Sequence, residues 1–196
     1  MRHAAPHSEK EQEYLHHDTE EEYFHRLNAE LINQMRRAAQ LQEEERRMSE
    51  ASRITDHKIL GMLENLGYNH TTIELVHLVP LIQVAWVDGS VSKAERQRIL
   101  QIAGLRGLKE GSPAGGQLAA WLEQRPSEEF FQGTLHAIQV FLGSLPDGQR
   151  QVFKETLVQS CKDVAFASCG LRGWKDRICA AKRKLIQEIR TVLDAA

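Results

Sequence analysis

The stretch Leu81-Ile82-Gln83-Val84-Ala85-Trp86-Val87-Asp88-Gly89-Ser90-Val91-Ser92-Lys93-Ala94-Glu95 reads as the end of one helix, a tight turn and the start of another. Upstream, Asn69 or Thr71 opens the first helix, and Ile73, Val76, Val79, Leu81, Ile82 and Ala85 make it apolar on nearly all sides. A helix without a polar face is buried, so this one is expected at the centre of the fold. Pro80 should kink it, because proline lacks the N–H that an inner helical position donates. Asp88-Gly89 ends it. Ser92-x-x-Glu95 is a capping box, in which each side chain bonds the other residue's backbone N–H, and Ile99 and Ile102 carry the second helix onward.

A similar unit recurs later in the chain. Val164-Ala165-Phe166-Ala167-Ser168-Cys169-Gly170 is followed by a longer loop and then by Ile178-Cys179-Ala180-Ala181-Lys182. Val91 aligns with Ile178, and Glu95 with Lys182. Between and around the two units, Asp56 or Thr55 caps a short helix that Gly67 ends, and Gly104, Gly107 and Gly111 mark a loose connection. A short helix follows at Gln117–Glu123. Pro126-Ser127 and Pro146-Asp147 each open a further helix, and the last carries Ile178, Leu185, Ile186, Ile189, Val192 and Leu193. Nothing alternates with the period of two that a half-buried strand needs. The fold class is all-α: a compact multi-helix domain of two helix-hairpin repeats, preceded by a long amphipathic helix. The expected divisions are a flexible 1–17, the long helix 18–52, a connecting helix in 53–70 and the helical domain 71–196.

The phrase Ala85-x-x-Asp88-Gly89-x-Val91-x-x-x-Glu95 resembles the signature of the TerB-like (tellurite-resistance) family, and the order of helices over about 71–195 is similar too. The resemblance implies an all-helical cytoplasmic binding protein linked to stress or tellurite response rather than an enzyme. It also implies a divalent cation held by acidic residues, which carries over here only to Asp88 and Glu95. Ser168 and Lys182 stand where the second repeat would need acids. Asp88 and Glu95 also resemble the second half of a calcium loop. Val84 and Trp86 occupy its missing first half, although calcium needs roughly six to eight oxygens. The capping box accounts for Glu95 without any metal, and the helix N-terminus already favours an anion at Asp88. Capping is the preferred reading, and a metal-ion sensor at this loop the alternative.

Asp18-Thr19 before Glu20-Glu21-Glu22 reads as the start of the long helix. Phe24, Leu27, Leu31, Ala38, Leu41 and Met48 form its stripe, which Gln34 and Glu45 interrupt. Glu21-Glu22-Tyr23-Phe24 with Glu30, Ile32, Met35 and Arg36 is similar to the inhibitory helix of the mitochondrial ATP synthase inhibitor protein. That likeness implies an ATPase-regulating helix at Tyr23–Arg36. The plainer reading is a packing face, by which Tyr23, Phe24, Leu27, Leu31, Met35 and Arg36 meet a protein partner, a second copy or the protein's own body. His17, Glu21 and His25 suit zinc in type, but steps of four drift around a helix and read as a solvated face.

The totals exclude several classes. The 196 residues carry a net charge of −2, with 6% aromatics, so neither a field for nucleic acid nor a base-stacking platform is present. The longest apolar run, Leu78–Val87, is too short for a bilayer. Three cysteines, none in a C-x-x-C pair, with no leader pattern, point to reduced thiols in the cytoplasm. Cys161 and Cys179 read as core residues. Cys169 would be a nucleophile only with a base such as His136 or His77 beside it. No phosphate-binding, zinc-protease or serine-hydrolase motif is present, and no cofactor is required.

Overall fold

The computed structural model describes residues 9–52, 54–167 and 180–196, with side chains from His25 onward, and every regular element among them is helical. In chain order these are α1 (Glu9–Ser52), α2 (His57–Asn65), a 3-10 helix (Ile73–Leu78), α3 (Val79–Ala85) and a short 3-10 turn (Trp86–Asp88). Then come α4 (Lys93–Leu105), α5 (Pro113–Glu123), α6 (Glu128–Gly143), α7 (Asp147–Ala167) and α8 (Ala180–Asp194). No helix among the described residues is long and apolar enough to cross a membrane.

Helix α1 already includes Glu9 and so runs through Asp18, where the sequence places its start. No glycine or proline lies between residues 7 and 52 to interrupt it, so the capping pattern at Asp18-Thr19 falls inside the helix. The chain divides into two compact units within α1, between Glu44 and Glu45. The last turns of α1 thus belong to the second unit, not to the separate helix expected to end at residue 52. Met48 is fully buried there. The Ser52 hydroxyl donates to the Met48 carbonyl at 2.7 Å, and Glu45 Oε1 meets His57 Nδ1 at 2.8 Å.

Within the second unit, Pro80 governs the central segment. A proline ring crowds the carbonyl four residues back, so an α-helix cannot run through it undisturbed. The chain therefore winds as a 3-10 helix to Leu78, the Val79 N–H bonds Val76 O, and α3 begins with Pro80 in its first turn. There the missing donor costs nothing. The expected kink is thus a change of helix type. Leu81, Ile82, Val84 and Ala85 of α3 are all 0% exposed, and α3 packs against α4, α6, α7 and α8. It is the central helix that its composition demanded.

Asp56, Ser92, Ser112 and Ser127 cap α2, α4, α5 and α6 with their side-chain oxygens. Helix α5 starts four residues earlier than expected, because Ser112 caps it and Pro113 follows as a pre-set first residue. Gly115 and Gly116 lie inside it, and Gly107 and Gly111, with φ of 94° and 79°, make the turns before it. At Gly133 helix α6 presses on Leu66: a Cβ there would lie 2.6 Å from Leu66 Cδ2. Arg150 donates to Leu142 O near the end of α6 and to Leu145 O just beyond it, both at 3.0 Å.

Candidate functional site

Gly89 takes φ 83°, a left-handed turn that L-residues avoid, and its N–H closes on Trp86 O at 2.9 Å. This turn sets Asp88 just ahead of α4. The indole N–H of Trp86 donates to Trp121 O at 2.8 Å and ties the turn to α5. Three residues on, Ser92 and Glu95 form the capping box. The Glu95 N–H donates to Ser92 Oγ at 3.3 Å, and Glu95 Oε2 accepts from the Ser92 N–H at 2.9 Å and from its hydroxyl at 2.7 Å. Glu95 therefore turns back onto its own helix start, as the capping reading requires.

Its other oxygen faces α8. Lys182 Nζ donates to Glu95 Oε1 at 2.7 Å and lies 2.6 Å from Asp88 Oδ2. The Lys182 and Glu95 side chains are each 2% exposed, while Asp88 is 50% exposed. Glu95 lies in the first turn of α4, and Lys182 reaches it from α8. The two positions that the sequence alignment pairs are thus in contact.

Burial disfavours a charged group. Burial alone would lower the lysine pKa. The hydrogen bonds and charges of Asp88 and Glu95 outweigh it, and the pKa is raised above the ordinary lysine value. Lys182 thus stays an ammonium, held by two carboxylates.

The metal reading requires Asp88 and Glu95 to converge, and they do. What they converge on is the Lys182 ammonium. Glu95 Oε1 is taken by Lys182 and Oε2 by Ser92. This donor set does not suit a divalent cation. Among the described residues no group of three or more His, Cys, Asp or Glu side chains is placed to hold a metal. Titration of the protein with calcium, magnesium or zinc to millimolar concentration should therefore release no binding heat, and a saturable isotherm lost in Asp88→Ala would restore the metal reading. Sequence reading weighed Lys182 only as a missing acid. The signal was the opposite charge at two aligned positions.

The other candidate residues are dispersed. Leu27, Leu31 and Met35 of α1 are exposed at 48%, 54% and 65%, and Arg36 is exposed beside them. The side chains of Tyr23 and Phe24, with those of His17 and Glu21, lie outside the described residues, as do Ser168, Cys169, Gly170, Ile178 and Cys179. Cys161 is buried in the core, and burial pushes its thiol up to about 12, against the pull of the Arg106 charge. A thiol in that state is no nucleophile at neutral pH. His136 is on the surface beside Gln139.

No family model, no curated protein and no solved structure matches this chain.

Proposed function

We propose that the protein is a non-enzymatic interaction module of the TerB-like type, which associates with a second copy of itself through α1. The observation that carries the reading is the exposed apolar stripe of α1. Leu27, Leu31, Ile32, Met35 and Leu41 are between 48% and 65% exposed and recur at helical spacing. An amphipathic helix gains little from propensity alone and is stabilised by burying such a face. Gln34 interrupts the seam, and a polar residue at one seam position sets register between paired helices.

The TerB-like part of the proposal is supported by the meeting of Glu95 and Lys182 from aligned repeat positions. By that resemblance the expected setting is a cytoplasmic stress or tellurite response, with a lysine in the role the family gives to a cation. No observation favours the ATPase-regulating reading of Tyr23–Arg36 over self-association.

Light scattering on the full chain tests the proposal. At tens of micromolar we expect more than the monomer mass, and monomer for both Leu31→Asp and a chain starting at Glu45. The truncation keeps Met48, which the second unit needs for its core. A full chain that stays monomeric at that concentration would end the self-association reading.

A further inference from the structure

The second unit holds an apolar groove that the reading above does not use. It measures about 690 Å³ and runs between the end of α6, the first half of α7 and the 3-10 helix. Phe141, Leu145, Val152, Phe153 and Leu157 supply its apolar walls, and His77 and Arg106 also line it. Phe141 and Phe153 meet edge to face, with ring centroids 6.0 Å apart. A smaller groove of about 260 Å³ shares His77, Phe141 and Phe153 with it.

Two features distinguish this groove from a bare apolar patch. Arg106 is the one charged side chain lining it, and among the described residues its guanidinium has no salt bridge and no hydrogen bond. His77 Nε2 is buried without a hydrogen-bond partner, the one such side-chain atom among the described residues. Buried polar atoms are almost always bonded, and the exceptions call for an explanation such as a missing ligand. The groove's size is that of a small-molecule site, and such sites are apolar with a few polar groups that orient the ligand.

We propose that this groove binds a single-chain aliphatic carboxylate, its tail against Phe141, Val152, Phe153 and Leu157 and its carboxylate on Arg106. Arginine fits a carboxylate with two parallel N–H bonds, and such a charge-assisted pair is strong beside an apolar surface. Charge complementarity selects an anion over a neutral or cationic head. The lone arginine selects one carboxylate over a phosphate cluster.

Calorimetric titration of the full chain with sodium decanoate, below its micelle concentration, tests this. Decanol and decyltrimethylammonium serve as head-group controls. Saturable decanoate binding, at least tenfold weaker in Arg106→Gln and abolished in Val152→Asp, is the expected result. Both residues are exposed enough to change without unfolding the chain, and an unchanged thermal midpoint verifies this. Decanol should bind at least tenfold more weakly than decanoate, and the cationic analogue not at all. No saturable decanoate binding to millimolar concentration would overturn the proposal. So would equal affinity in Arg106→Gln, equal affinity for the three head groups, or capture only of peptides by their C-terminal carboxylate. The oligomeric state is read separately, so failure here leaves the self-association of α1 untouched.

Discussion

Lys182→Met should lower the stability of the protein by roughly 3–5 kcal/mol, the cost of stripping one partner from a buried ion pair. Glu95 is 2% exposed and would keep a charged oxygen with no counter-ion. The Ser92 N–H and hydroxyl would still bond Oε2, so the loss is one oxygen's, not the whole carboxylate's. Urea denaturation measures it through a fall in midpoint at constant slope. Asp88→Asn should cost far less, about 1 kcal/mol or below, because Asp88 is half exposed and water screens the pair. The double variant Lys182→Met with Glu95→Gln should recover much of the loss, since a neutral amide leaves no buried charge and can still cap α4. A Lys182→Met loss no larger than that of Asp88→Asn would mean that the buried pair does not clamp α8 to α4.

The sign of the pH effect follows from the raised lysine pKa. A group whose folded pKa lies above its unfolded value stabilises fully below the unfolded value, here about 10.5. That contribution is lost as pH rises through the folded value. The clamp therefore fails in alkali, and Lys182→Met should remove that part of the alkaline decline.

Acid acts through a different residue. His77 is held at a pKa of about 3 against an ordinary 6.5, by burial first and by the Arg106 charge second. Below 6.5 the unfolded chain takes up a proton that the folded chain refuses, so stability falls as pH falls from 6.5 toward 3. Between pH 7 and pH 5 the loss from this one group should be about 2 kcal/mol. His77→Phe keeps an aromatic ring in place and has nothing to protonate, so its urea midpoint should fall less over that interval. Parallel curves for the two proteins would show that His77 is accessible to a proton in the folded state. The Nε2 atom is buried without a partner, so no hydrogen bond offsets the burial that resists the charge.

Much of the fold was legible because it rests on local chemistry. Ser92, Ser127 and Asp56 cap the helices their patterns announce, since a capping oxygen needs only its own chain two or three residues on. The all-round apolar face from Ile73 to Ala85 fixed the central helix. Local signals also failed where two of them competed. Asp18-Thr19 looks like a start, yet the helix runs through it. Gly115 and Gly116 look like a loop, yet Ser112-Pro113 pulls them into α5.

By itself, the sequence determined the all-helical class, the central helix and the turn at Gly89. All of these follow from periodicity, caps and a φ that glycine alone takes readily. The tertiary structure decided that Met48 joins the body, that Arg106 and His77 line one groove and that Lys182 reaches Asp88 and Glu95. Lys182 and Glu95 lie 87 positions apart. No local rule links residues so distant. Their meeting depends on how α3, α4, α7 and α8 pack, and packing reads shape and volume across the whole core at once.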